Sequence, residues 1–173
     1  MIYKFRMLSS GDRAFLRDYE LNSEAPFIDL HGLIQRDLGL DPSQLASFFV
    51  ADEQWNKGLE LTLLDMGAPE QAAMPMERVK LSDIVKNRTD RLLYAYDLFS
   101  DQHLFLELIA IGEPQPDAHY PRCAAAVGEL PVQQLPDPSA ALAYEEADDE
   151  FDDDLADEDA VDLDVEDMDL SQF

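Results

Sequence analysis

The sequence has little of several residue types, and each shortage excludes a class of protein. It contains one cysteine, Cys123, so an internal disulfide and a cysteine-rich zinc site are both excluded. No apolar run approaches the roughly 20 residues that a membrane-spanning helix needs. The opening residues enter a strand pattern at once and lack the apolar core of a signal peptide. We therefore expect a soluble, cytoplasmic protein that does not bind membranes.

Basic residues are also scarce, and their distribution divides the chain. The 173 residues contain 12 Lys or Arg and 38 Asp or Glu, which gives a formal net charge of −26. None of the bases, but seventeen of the acids, lies in residues 137–173. Residues 1–136 carry a net charge of only −9. Phosphate backbones would repel so anionic a chain, so direct nucleic-acid binding is not expected.

The apolar pattern of the body predicts six strands and two helices. The predicted strands lie at about 2–8, 15–21, 46–51, 59–64, 91–99 and 104–111. A long helix follows Pro26, and a short one spans 81–86. The order β-β-α-β-β-α-β-β lacks the regular alternation of a doubly wound fold. The sequence therefore predicts an α+β fold, in which the long helix covers one face of a mainly antiparallel sheet.

The long helix has the clearest pattern. Its apolar stripe follows the i, i+3, i+4, i+7, i+11 spacing of one buried face and comprises Phe27, Leu30, His31, Ile34 and Leu38. Gly39 is suited to end the helix in the left-handed conformation.

Composition predicts three regions along the chain. Residues 1–112 hold the strand and helix patterns and are predicted to form the globular domain. Five prolines make residues 113–136 an extended segment with little regular structure. Residues 137–173 have too little apolar surface to offset chain entropy, so we predict a disordered acidic tail.

Four short segments resemble one known family. They are Leu30-His-Gly-Leu-Ile-Gln-Arg-Asp-Leu-Gly39, Lys80-Leu-Ser-Asp-Ile84, Leu93-Tyr-Ala-Tyr-Asp97 and Tyr120-Pro-Arg-Cys123. In this order they resemble motifs of the plasmid pRiA4b ORF-3-like family, across residues 2 to about 135, with the tail outside the resemblance. The resemblance implies an α+β domain of a kind carried by some transposons and plasmids. It implies no established activity. Family members typically have Phe-Gly-Asp-Asp-Trp-x-His where this chain has Leu98-Phe-Ser-Asp-Gln-His103.

Polar residues of the body offer one speculative site, composed of His31, Asp97, Asp101, His103 and Cys123. If these residues converged, the protein could be a degenerate or unrecognised enzyme or a metal-binding protein. The alternative is a structural role for both residues, in which His31 anchors the helix through a hydrogen bond and Cys123 is a structural or incidental cysteine. The sequence shows no base or oxyanion donor for the thiol, no phosphate-binding loop and no zinc-protease motif. We assign no catalytic, cofactor or metal residues.

Four basic residues fall in or beside the first two strands, namely Lys4, Arg6, Arg13 and Arg17. They could form either a solvated outer face of the sheet or a basic binding patch.

The tail carries apolar residues among its acids, which a purely solubilising tail would not need. The candidate anchors are Phe151, Leu155, Leu163, Met168, Leu170 and Phe173. Such a segment could bind a basic, apolar groove of a protein partner or imitate the charge of nucleic acid, or it could serve only solubility. The tail has no glycine, so a calcium loop of the EF-hand type is excluded. The sequence predicts a non-enzymatic binding or adaptor module whose acidic tail contacts a protein.

Overall fold

A computed structural model describes residues 1–11, 14–65, 67, 72–98 and 102–130. These residues form eight strands and two helices: β1 (Ile2–Ser9), β2 (Leu16–Asn22), α1 (Phe27–Leu38), β3 (Ser47–Ala51), β4 (Lys57–Thr62), β5 (Ala73–Pro75), α2 (Leu81–Ile84), β6 (Arg91–Asp97), β7 (Gln102–Gly112) and β8 (Arg122–Val127). The chain divides into two units, Met1–Gln133 and Gln134–Phe173, and every described residue belongs to the first. Neither described helix is long and apolar enough to cross a membrane.

One sheet contains all eight strands, in the order β5, β4, β3, β6, β7, β1, β2, β8. The sheet is mixed, because β4 and β5 are parallel whereas the other neighbouring strands are antiparallel. The helices contribute only 12 and 4 residues. The predicted α+β fold is therefore wrong, and the domain is dominated by its sheet.

Two strands lie where the sequence predicts none. The strand β5 has three residues and ends at Pro75, in a stretch that its Ala, Pro and Met content marks as a loop. The strand β8 lies inside the proline-rich segment 113–136, and three of its six residues are alanine. Both strands are at the edges of the sheet, where backbone pairing with one neighbour suffices and no two-residue apolar period is required.

The other strands and both helices overlap the predicted segments. In α1, Phe27, Leu30, His31 and Ile34 are buried, as the stripe predicts. Gly39 ends the helix with a φ of 62°, and its N–H donates to the carbonyl of Gln35. The left-handed conformation predicted at this glycine is confirmed.

Both helices pack on the same face of the sheet, which we call the inner face. At the start of α1, the ring of Phe27 meets that of Phe48 on β3 at 5.5 Å between centroids. Beside α2, the Tyr3 hydroxyl of β1 donates to the carbonyl of Val85 at 2.9 Å. Alternate residues of the central strands, such as Phe5 and Leu106, complete this core and are fully buried.

Candidate functional site

The opposite, outer face of the sheet carries no helix in the described part of the chain. Its side chains form rows that cross the strands, because residues paired across neighbouring strands point to the same face. Two of these rows extend across six neighbouring strands from β3 to β8, and they differ in chemistry.

The first row, the apolar row, has an apolar side chain on every strand. Its members, in sheet order, are Phe49, Leu93, Phe105, Leu8, Leu16 and Val127. Leu93 is only 1% exposed, whereas Leu8 is 44% and Val127 is 54% exposed. Two large apolar side chains therefore remain open to solvent on the half of the face formed by β1, β2 and β8.

The second row, the charge row, alternates in sign at its centre. Its members, in the same sheet order, are Ala51, Arg91, Glu107, Arg6, Asp18 and Ala125. Arg91 Nε donates to Glu107 at 3.1 Å, and Arg6 binds Asp18 through Nε and an η nitrogen, both at 2.9 Å. These hydrogen bonds hold the pKa of Asp18 below its ordinary value and raise that of Arg6.

The loop between β3 and β4 places Trp55 over the other half of the outer face. The Trp55 ring meets Phe105 edge-on at 4.9 Å, and the Arg91 guanidinium stacks on it at 4.9 Å. Trp55 has a φ of 65°, a left-handed conformation that is costly for a bulky residue. Asp52 stabilises the loop, since its carboxylate accepts the N–H groups of Gln54 and Asn56, each at 2.8 Å. Backbone strain of this kind, at a half-buried aromatic residue on the surface of the sheet, is typical of a functional constraint.

A third set of charges lies beside the charge row. Lys4 approaches Glu20 at 3.6 Å, and Arg122 contacts Glu20 at 2.7 Å. A shallow pocket of about 150 Å³ lies between Lys4, Glu20 and Tyr120. The cations of this region have carboxylates within ion-pair distance, so the pocket does not present an uncompensated basic group.

The three described members of the predicted basic set do not form a patch. Lys4 and Arg6 lie on the outer face, next to Asp18 and Glu20. Arg17 lies on the inner face, and Arg13 is outside the described residues. Of the two alternatives for these residues, Lys4 and Arg6 therefore fit the outer face of the sheet rather than a basic binding patch.

His31 is 5% exposed on the inner face, where its Nδ1 lies 2.9 Å from the Tyr94 hydroxyl. Burial lowers the pKa of the imidazole and raises that of the phenol. The pair is thus two neutral groups joined by a hydrogen bond, and it joins α1 to β6. This geometry matches the structural alternative, in which His31 anchors the helix.

Cys123 lies on the inner face of β8, near the end of α1. Asp37 Oδ2 accepts from Arg17 Nε at 3.0 Å and from the Tyr19 hydroxyl at 2.8 Å. Burial, followed by the charge of Asp37, raises the pKa of the Cys123 thiol. A raised pKa reduces the thiolate fraction at neutral pH, which is unfavourable for a nucleophile.

Of the described members of the speculative polar site, His31, His103 and Cys123 lie apart from one another, whereas Asp97 lies near His103. His31 lies on the inner face and His103 on the outer face. Asp97 ends β6, where it pairs with Gln102 beside His103. Cys123 lies in β8, three strands from β7, which is about 14 Å at the usual strand spacing. The described residues contain no group of three His, Cys, Asp or Glu side chains that could hold a metal ion.

Asp101 and the six tail anchors lie outside the described residues. The outer-face rows, in contrast, were not identified from the sequence. Their signal was present in runs such as Leu92 to Tyr96, in which adjacent residues are all apolar. Such a run indicates a strand with apolar groups on both faces.

These observations define a domain with a single large sheet, one helix-covered face and one open face of apolar and charged rows. The chain belongs to the plasmid pRiA4b ORF-3-like protein family, because the family model matches residues 2–172. This confirms the resemblance drawn from four short motifs. The match continues through the acidic segment, so the expectation that the tail lies outside the family is wrong.

One solved structure has a similar fold. It is the crystal structure of a protein of unknown function from Methanosarcina mazei Go1, with a TM-score of 0.57 and 21% sequence identity. The similarity covers 72% of this chain and 68% of that one, and at this identity it shows the fold alone. No curated protein matches the chain.

Proposed function

We propose that this protein is a non-enzymatic, cytoplasmic interaction module that binds a protein through the outer face of its sheet. The observation that carries the proposal is the apolar row, whose members Leu8 and Val127 remain exposed. Phe105 of this row contacts Trp55, and Arg91 of the neighbouring charge row stacks on the same Trp55 ring. Tryptophan and arginine are the residue types most enriched at the energetic centres of protein interfaces.

The polar groups of the body support binding rather than chemistry. Cys123 has a raised pKa, and His31 is held neutral against Tyr94. A catalytic site needs a nucleophile or base next to the group that activates it. His31 instead joins α1 to β6 through its hydrogen bond with Tyr94, which is a structural role.

The acidic segment 137–173 is the second part of the proposal. Its seventeen acids and interspersed apolar residues fit a partner with a basic, apolar surface. So large a net charge accelerates association with a basic protein and makes it dependent on salt. The same charge would let the segment imitate nucleic acid, in which case the partner is a nucleic-acid-binding protein.

A capture experiment tests the docking face. Leu8→Glu places a carboxylate on the apolar row at a half-exposed position, so the core is unchanged. Leu64→Glu is the matched control, because Leu64 is 60% exposed and lies beyond the end of β4. A partner of the outer face should bind Leu8→Glu at least tenfold more weakly, since tenfold is about 1.4 kcal/mol and burying an unpaired carboxylate costs more.

Quantitative mass spectrometry of proteins captured by the full chain and both variants gives the readout. The control should capture the same proteins as the unchanged chain. Identical captured sets for all three proteins would remove the outer face from the proposal. Repeating the capture with a chain that ends at residue 136, at low and high salt, tests the acidic segment. Partners of that segment should be lost on truncation and should also be lost from the full chain at high salt.

A further inference from the structure

The order of charges across the outer face is self-complementary. From β6 to β2 the charge row is Arg91, Glu107, Arg6 and Asp18, which is positive, negative, positive, negative. Consider a two-fold axis that is parallel to the strands and lies above the boundary between β7 and β1. Rotation about this axis reverses the order of the strands in the partner chain. It keeps each row at the same position along the strand direction, so each row of one chain lies over the same row of the other. Arg6 is then opposite the partner's Glu107 and Arg91 is opposite the partner's Asp18, so the order of charges is complementary across the axis. Arg6 and Glu107 are the more exposed members, whereas the Asp18 side chain is only 4% exposed.

The apolar row obeys the same symmetry. Reversal places Phe105 opposite the partner's Leu8 and Leu93 opposite the partner's Leu16. All six positions of the row are then opposite another apolar position, because every member of the row is apolar. Leu8 and Val127 are the exposed members that can contact the partner, whereas Leu93 is already buried within its own chain. The ends of the charge row are Ala51 and Ala125, which also face each other.

The shape of the outer face is also complementary to that of a second copy. Trp55 raises the half formed by β3, β6 and β7, where it stacks on Phe105. The half formed by β1, β2 and β8 has the exposed Leu8 and Val127 and the small Ala125. A two-fold axis between the halves sets the raised half of one chain against the open half of the other. This is the arrangement of an isologous interface, in which one patch supplies both sides.

We propose that the occupant of the outer face is a second copy of this chain, bound face to face about this two-fold axis. The inference rests on the proposed function in one respect, the use of the outer face as a docking surface. It adds the identity of the partner and a specific set of contacts.

The size of the face suits a stable dimer. Six strands at about 4.8 Å spacing and about seven residues at 3.3 Å per residue span roughly 650 Å² of flat area. Standard interfaces bury about 800 Å² per partner, measured on the rougher accessible surface. Sheets packed face to face cross at about 30° because of their twist, so the closest contacts fall on β7 and β1. Leu8, Arg6 and Glu107 are therefore the positions to test.

The first measurement is the mass of the full chain in solution. Light scattering after gel filtration, at about 0.15 M salt and over a range of concentrations, should give twice the 19.5 kDa of one chain. Leu8→Glu should give a single-chain mass, and the control Leu64→Glu should remain dimeric. A single-chain mass for the unchanged protein at about 100 μM, well above the Kd of a typical specific complex, would overturn the proposal. A dimer that persists in the Leu8→Glu variant would also overturn the proposal.

A charge-swap experiment identifies the geometry. Arg6→Glu alone sets two carboxylates against each other twice in the dimer, and Glu107→Arg alone sets two guanidinium groups against each other twice. Each variant should be monomeric, whereas an equimolar mixture should form a heterodimer, because the carboxylate introduced at position 6 of one chain then faces the guanidinium introduced at position 107 of the other. Circular dichroism confirms that each variant is folded. Two folded variants that remain monomeric when mixed would contradict the proposed axis.

The outcomes separate this inference from the proposed function. If the chain is monomeric but Leu8→Glu still loses a captured protein, the docking face is used by a different protein and the dimer is wrong. If the dimer forms and no captured protein depends on Leu8, the face serves self-association and the role in binding other proteins fails.

Discussion

Asp18 shows how one buried charge organises the outer face. Its side chain is only 4% exposed, yet it stays ionised because Arg6 binds it through two hydrogen bonds and Lys4 lies 3.7 Å away. A buried carboxylate without such partners would be strongly destabilising.

The first prediction concerns the substitution Asp18→Asn, which keeps the shape but removes the charge. We expect the free energy of unfolding at pH 7 to fall by about 2 kcal/mol, the usual contribution of charge-assisted hydrogen bonds. Urea unfolding, followed by the fluorescence of the single tryptophan, Trp55, measures it. Glu24→Gln is the control, because that exposed ion pair with Lys80 should contribute little.

The same carboxylate predicts a dependence on pH. The folded pKa of Asp18 lies below its ordinary value, so its stabilising contribution is present above about pH 3.9 and is lost as the pH falls below it toward the folded pKa. The difference in unfolding free energy between the unchanged protein and Asp18→Asn should therefore shrink between pH 5 and pH 3. A difference that stays constant over this range would show that the charge of Asp18 is not responsible.

At the scale of the element, the glycine that follows β8 lies close to the backbone just before β2. Gly128 follows the strand with a φ of 68°, and its carbonyl accepts from Arg17 at 2.9 Å. A Cβ added here would lie 2.9 Å from the carbonyl oxygen of Ala14. The backbone of β8 would then have to move away from β2.

The second prediction compares Gly128→Ala with Gly39→Ala. Gly39 has a similar φ of 62°, but an added Cβ would meet no atom within 4 Å. We expect Gly39→Ala to cost about 1 kcal/mol for the left-handed conformation, and Gly128→Ala at least about 1 kcal/mol more for the contact with Ala14. Urea unfolding of both variants provides the comparison. Equal losses would mean that the approach of the two backbones is not tight.

Much of the sheet follows from local patterns, and the exceptions have a physical cause. Alternation in residues such as Tyr3, Phe5 and Met7 predicts a central strand, because each such side chain enters the core. The edge strand β8 is different, since it is held by backbone pairing with β2 and by the capping of its carbonyls by Arg17. A run of alanines has no alternation of apolar and polar residues, so the strand could not be predicted from it.

The candidate surface could be predicted only in part. Consecutive apolar residues such as Phe48 and Phe49 indicate that both faces of a strand are covered, but the rows depend on the register between strands. Register is long-range, as in the pairing of Leu8 with Phe105. His31 and His103 of the speculative polar site lie apart for the same reason, because the sheet separates groups that lie on its opposite faces.

At the scale of the whole molecule, charge and docking surface are separated. Seventeen of the 38 acids lie in residues 137–173, whereas the outer face pairs its cations with carboxylates. Two chains that associate through the outer face bring together two net charges of −26. The acidic segment should therefore oppose the dimer, while it favours basic partners.

The third prediction follows from this opposition. A chain that ends at residue 136 has a net charge of −9, so its dimer should be tighter than that of the full chain at low salt. We expect about a tenfold lower Kd at 0.01 M salt, where the Debye length is about 30 Å, and little difference near 1 M, where it is about 3 Å. Sedimentation equilibrium measures both values.

Leu8→Glu in the shortened chain is the control. It should remain monomeric at either salt concentration, which would show that any tighter binding involves the outer face. A weaker dimer after truncation would mean that the acidic segment contributes attraction, and the charges of the two parts could not then be treated as opposed.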